Sequence, residues 1–204
     1  MAKLNIVCFG SIFMEHRKYK WFYTKSAKLV VGGKSAESND SLLRELKATG
    51  KDYVVMHTKA PGSPFCAIIA PVKDVTPSDI DECAIFTGCF SRAWKEKQKD
   101  TSVDMFHLSQ LMKSAGMKTG SWIVKGKVQQ HTVNLSLAIT MQDGSLRAVP
   151  VSTPNKADII AYASPGSIDK VEAVTKTNVM AVKKLPAEQL LAALPAGGIT
   201  FKKA

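Results

Sequence analysis

The stretch Pro61-Gly62-Ser63-Pro64 cannot be helical: proline lacks the donor a helix needs, and glycine frees the backbone. It stands between two apolar runs, residues 53–56 and 65–70, so these read as strands flanking a loop. The loop places Gly62 and Ser63 beside Lys59 and His57. A second segment repeats the plan at 118–127 (KTGSWIVKGK), with Thr119, Gly120 and Ser121 beside a β-like run that carries Lys125 and Lys127. This chemistry suits a phosphate backbone. Glycine lets main-chain N–H groups approach an anion, a hydroxyl adds a donor, and lysine supplies charge.

Punctuation and periodicity extend the reading along the chain. Residues 19–24 and 29–31 form two strands joined by a turn and closed by Gly32-Gly33. A helix capped by Ser38 or Asn39 follows, with Leu42, Leu43 and Leu46 on one face and Gly50 as its stop. Thr76 caps a second helix, Pro77 fits its first turn, and Asp79, Asp81 and Glu82 complement its dipole. Its apolar residues from Ile80 to Trp94 make one buried face, and Lys95, Lys97 and Lys99 suit its C-terminal end. Strands are expected at 103–107, 121–125, 133–140 and 146–149, with Asp143-Gly144 as a hairpin turn. A strand at 159–162, a turn at 164–167, helices at 168–174 and 187–194, and a tail mobile at its end complete the chain. The expected fold is α+β, a mostly antiparallel central sheet with helices packed on one face. Residues 1–150 are expected to form one domain, and 151–204, after the linker-like STPNKA at 152–157, an extension packed on it.

The net charge of +11 is unevenly spread. Residues 105–142 hold no carboxylate, and Glu15 is the only one before Lys34. A polyanion favours such a face, and a solvated basic surface is the alternative. No window reaches the about 20 apolar residues of a membrane span, which reads as a cytoplasmic chain without a membrane partner. Cys8, Cys66, Cys83 and Cys89 lack CxxC spacing and read as buried reduced thiols, so no metal and no cofactor is expected.

Catalysis finds little support. Asp52 and His57 are five positions apart, which regular alternation places on opposite faces, and Ser63 lacks a nucleophile elbow. His107 and His131 have no metal-ligand spacing, and no GxxxxGK[ST] loop occurs. Trp122 or Tyr53 offers a stacking face if exposed, with burial as the alternative, while Trp21, Phe22 and Trp94 read as core.

Blocks in sequence order carry a family resemblance: Trp21-Phe22 with Val31 to Gly33, Asn39 with Leu42-Leu43, Asp52 with His57 and Pro61-Gly62-Ser63, Ala84 with Ser91 and Trp94, and Thr119 to Lys127. Together they resemble the NFACT-R domain, the RNA-binding module of ribosome-associated quality-control factors and of small stand-alone proteins. A gapless match puts Met56 where many relatives have histidine, and a one-residue shift puts His57 there. The resemblance implies a non-enzymatic RNA-binding module that contacts tRNA or ribosomal RNA, and so the ribosome, in translation quality control. Its contacts would be His57, Lys59, Gly62, Ser63, Thr119, Gly120, Ser121, Lys125 and Lys127. The same basic face would also serve a DNA-binding protein or a protein-interaction module.

Overall fold

The computed structural model describes residues 7–9, 12–176 and 186–204. A short ribbon of β1 (Val7–Phe9) and β2 (Ile12–Met14) precedes a six-stranded sheet of order β10-β7-β5-β6-β4-β3. Its strands are β3 (Lys20–Tyr23), β4 (Leu29–Gly32), β5 (Val54–Thr58), β6 (Cys66–Ile69), β7 (Asp100–His107) and β10 (Gln129–Asn134). Every neighbouring pair is antiparallel. Period-two alternation sorts its side chains into two cores. Trp21, Leu29, Val31, Val55, Ala67 and Ile69 pack against Leu42, Leu43 and Leu46 of α1 (Ala36–Ala48). Phe22, Val30, Val54, Met56, Cys66 and Ile68 pack against Cys83, Ala84 and Phe86 of α2 (Pro77–Cys89). The α+β class with an antiparallel sheet therefore holds, but the helices do not share a face. The apolar strands have no polar side to leave in water, so each face needs its own cover.

A four-stranded antiparallel sheet lies beyond α2, in the order β12-β11-β13-β14. It comprises β11 (Leu137–Gln142), β12 (Ser145–Pro150), β13 (Ala161–Ile168) and β14 (Ile199–Lys203). Ala138 and Val149 join the core under α2. Leu137, Ile139, Ala148 and Ala161 gather with Val174 of α4 (Lys170–Lys176) and with Leu190 of α5 (Ala187–Ala193). A ribbon of β8 (Leu111–Met112) and β9 (Ile123–Val124) lays Leu111, Trp122 and Val124 on the α1 core. Trp21, Phe22 and Trp94 are buried, as are Cys66, Cys83 and Cys89, which are unpaired thiols. The Cys8 side chain lies outside the described residues.

Several boundaries differ from the sequence reading. Ser35 caps α1, accepting from Ser38 N–H at 3.2 Å while the Ser38 hydroxyl accepts from Ser35 N–H at 2.7 Å. The second helix stops at Cys89, because Ser91 caps a separate turn, α3 (Arg92–Lys95). Residues 133–140 divide between two sheets. Val133 belongs to the core under α2 and Leu135 to that of the second sheet, so the alternation continues while the partner strand changes. The 164–167 segment is not a turn but part of β13, bulged between Pro165 and Ile168, and the tail pairs with it as β14.

The N-terminal turn of α2 ties these layers together. Asp79 is fully buried and accepts from the hydroxyls of Thr24 at 2.6 Å and Thr76 at 2.7 Å, from that of Ser26, and from Thr76 N–H at 2.9 Å. Lys28 adds an ion pair at 3.1 Å. Burial alone would raise the carboxyl's pKa, but the hydroxyl and N–H donors outweigh it and hold Asp79 well below the carboxylate range. Because the folded value is depressed, this stabilisation is complete above the unfolded value near 4 and is lost as the pH falls below it. Asp79→Ala is expected to cost about 3 kcal/mol in urea unfolding at pH 7. Its deficit relative to the parent should shrink as the pH falls from about 5 towards 3, and a constant deficit would contradict the assignment.

Candidate nucleic-acid interface

The face of the six-stranded sheet that α1 covers runs on past the start of that helix. There β4 ends in Gly33-Lys34-Ser35, β5 ends in His57-Thr58, and the C-terminal end of α2 passes through Phe90-Ser91 into α3. These ends and the 119–122 loop enclose a cleft of about 760 Å³.

The loop after β5 is held from several directions. Thr58 N–H donates to Ser63 Oγ at 2.9 Å, and the Thr58 hydroxyl donates to Ala60 C=O at 2.7 Å. Phe65 N–H donates to Asn39 Oδ1 of α1 at 3.0 Å, and Arg92 N–H donates to Gly62 C=O at 2.9 Å. Gly62 has φ +107°, a conformation side chains rarely adopt, and it lies directly against Arg92.

A single carboxylate positions the second loop. Asp40 of α1 accepts from Trp122 Nε1–H at 2.8 Å, from Gly120 N–H at 3.0 Å and from the Lys113 ammonium. Burial would raise its pKa, but these donors outweigh that and hold it below the usual carboxylate value. Gly120 has φ +79°, and a Cβ there would come within 2.8 Å of Ala36 Cβ, so only glycine lets the loop lie on the helix start.

His57, Lys59, Gly62, Ser63, Thr119, Gly120 and Ser121, the residues of the two sequence-read loops, thus line one cleft. Lys125 and Lys127 do not line it. They are exposed beyond the β8–β9 ribbon, where the Gln110 amide donates to both of their carbonyls. Met56 is buried under α2, whereas His57 faces the cleft. The His57 Nδ1–H donates to Thr58 C=O at 2.7 Å, and the ring packs on Phe65, tilted by 34° with centroids 4.5 Å apart. Burial lowers its pKa from the ordinary histidine value, so at pH 7 it is neutral and offers a hydrogen bond rather than charge. Tyr53 is buried, while Trp122 is half-buried on the cleft wall.

The cleft also holds cations that the sequence reading did not assign to it: Lys20, Lys34, Arg92 and Lys95. Lys95 had read as helix termination. The signal for Lys34 was available in its position between Gly33 and the cap Ser35, at the positive end of a helix dipole. Lys20 could not be found from sequence, since α2 alone brings Phe90 beneath it, 4.6 Å from its ammonium. Burial, with repulsion from Lys34, Lys170 and Arg147, pulls the Lys20 ammonium down to about 8. Arg92 has a long, exposed contact with Glu96 at 3.9 Å, and no carboxylate of the described residues pairs with Lys20, Lys34, Lys59 or Lys95.

A catalytic arrangement of Asp52 with His57 does not form. Asp52 binds His107 Nδ1 at 3.2 Å and the Ser109 hydroxyl at 2.9 Å, so its lone pairs serve the start of the 108–110 turn. Among the described residues, no three metal-ligating side chains converge, and no helix is long and apolar enough to cross a membrane.

The chain is 26% identical over 199 residues to the archaeal Rqc2 homolog aRqcH of Methanocaldococcus jannaschii, covering 92% of this chain and 29% of that protein. It is 26% identical over 115 residues to the human ribosome quality control complex subunit NEMF, covering 54% of this chain and 10% of that one. The chain thus spans less than a third of either relative's length. The C-terminal part of the fibronectin/fibrinogen-binding protein from Streptococcus suis aligns over 70% of this chain and 47% of its own, at 22% identity and a TM-score of 0.48. The model of the NFACT protein RNA binding domain matches residues 18–126, which include every strand and loop that shapes the cleft up to the β8–β9 ribbon, and the chain belongs to that family.

Proposed function

We propose that the cleft binds RNA by its phosphate backbone and that the protein acts as a non-catalytic RNA-binding module in ribosome quality control, on tRNA or ribosomal RNA in the cytoplasm. The observation that carries this reading is the convergence of two glycine-hydroxyl loops on one cleft walled by Lys20, Lys34, Lys59, Arg92 and Lys95. Gly62, Ser63, Thr119, Gly120 and Ser121 supply short donors, and the lysines and Arg92 supply charge. Lys125 and Lys127 take phosphates outside the cleft, on longer RNA. Residues 1–150 carry this function, with 151–204 as an extension packed on the same domain. The family match and the names of the relatives support the setting.

Crosslinking to RNA in cells, followed by sequencing, tests the reading. The parent is expected to enrich tRNA or large-subunit ribosomal RNA, and Gly62→Glu and Lys34→Glu to lose it. Lys34→Glu leaves the strained Gly62 backbone untouched and separates lost binding from lost folding. Recovery of no RNA above background overturns the proposal in favour of a DNA or protein partner.

Phosphate contacts also predict a salt signature. With a single-stranded oligonucleotide, Lys34→Ala combined with Arg92→Ala should reduce the slope of log K against log salt by about 1.4, at about 0.7 per lost contact. Lys125→Ala with Lys127→Ala should spare a heptanucleotide and weaken tRNA. An unchanged slope in the first pair would exclude the cleft.

The lowered pKa of Lys20 gives a pH dependence. A bound phosphate stabilises the ammonium, so affinity is expected to fall as the pH rises through about 8. Binding curves from pH 7 to 9 check this, and Lys20→Met should flatten the dependence.

A further inference from the structure

One group in the cleft does not suit an anion. Asp104 of β7 is the one carboxylate among the described residues that line it. It is directly opposite His57 in the β5–β7 register, on the same face of the sheet as Phe106. It is half-buried, and its Oδ1 accepts from Gln130 Nε2 at 3.1 Å. Among the described residues, no lysine or arginine of the cleft approaches it within ion-pair distance.

A phosphate cannot rest against this carboxylate without strong repulsion. A ligand that fills the cleft must present donors here while its phosphates lie on the cationic side. An unpaired nucleotide has that polarity, with a negative backbone at one end and base N–H groups at the other. The surroundings fit a base as well, since the half-buried rings of His57 and Trp122 line the same cleft. A carboxylate only accepts, and with one bond to Gln130 it keeps lone pairs for more donors. Guanine offers adjacent N1–H and N2–H donors. Cytosine and adenine offer one amino group, and uracil offers a single N–H between two carbonyls that a carboxylate repels.

We propose that Asp104 is a specificity-determining residue of the cleft, accepting hydrogen bonds from the Watson–Crick edge of an unpaired guanine whose phosphates lie on the Lys34–Arg92 side. This rests on the RNA-binding reading above, and the experiment separates the two. Fluorescence anisotropy would compare heptauridine with the same strand carrying one central guanosine, cytidine or adenosine, for the whole chain and for Asp104→Asn. Asparagine keeps an oxygen for Gln130, and thermal melting verifies the fold. The parent is expected to bind the guanosine strand about tenfold more tightly than heptauridine, the discrimination of one good base contact. Asp104→Asn is expected to bring the four strands within about twofold, with heptauridine bound more tightly than by the parent because a repelling charge is gone. Binding by the parent without base preference, or a preference kept in Asp104→Asn, overturns the role of Asp104 and leaves RNA binding standing. Failure to bind any of the strands overturns both.

Discussion

Beyond its exposed residues Pro77, Ser78 and Asp81, α2 is buried between two sheets and has no solvent side on which to place its charges. From Glu82 to Cys89 only Ile85 is not fully buried, so the polar groups of its first turn have to be satisfied from neighbouring elements. Asp79 draws on Thr24, Ser26 and Lys28 of the β3–β4 turn. Glu82 accepts from Lys25 N–H at 3.0 Å and from the Thr153 hydroxyl at 2.6 Å. Two carboxylates thereby fix α2 to the first sheet and to the segment that leaves the second. Removing either leaves buried donors without acceptors, which costs more than the lost bonds themselves.

The position of α2 in turn determines the cleft. Its end at Phe90 supplies the ring under Lys20, and the break at Ser91 releases Arg92 to hold Gly62 through the backbone. On the other wall, Asp40 performs the equivalent task for the 119–122 loop. Neither loop is ordered by its own sequence alone. Each is pinned by a group from a helix distant in the chain, which is why both can carry glycines in conformations that would otherwise be mobile.

Local chemistry made part of this legible in the sequence. The bar to helix at Pro61-Gly62-Ser63-Pro64, the Thr76-Pro77 helix start and the Asp143-Gly144 turn are set by near neighbours, and each element is where it was expected, although the 61–64 loop takes its final shape from Asn39 and Arg92. What was not legible depends on partners far along the chain. The alternation from Val133 to Thr140 is continuous, yet the backbone changes sheets at residues 135–136, where its partners become β12 and β13. Likewise Lys95 reads from sequence as helix termination and Lys20 has no assigned role there, and it is α2 and α3 that bring both to the same cleft as Lys59. Lys125 and Lys127 share the charge and spacing of that site but are directed elsewhere by the Gln110 amide.

The lysines of the cleft are left without a carboxylate partner among the described residues. Lys20 is partly desolvated and pairs with no carboxylate of the described residues, so its charged form is disfavoured there. The same environment strengthens its attraction for an arriving anion, because fewer waters compete. A carboxylate partner would relieve the first condition and cancel the second. Asp104, the one acid among the described residues that line the cleft, stands on β7, three strands from the end of β4 that carries Lys34 and four from Lys20 of β3, and pairs with none of the cleft's cations, so the cleft keeps a positive side and an accepting side. Polarity of that kind orients a ligand that is itself divided, with phosphate at one end and hydrogen-bond donors at the other, and it leaves a simple polyanion only half of the site.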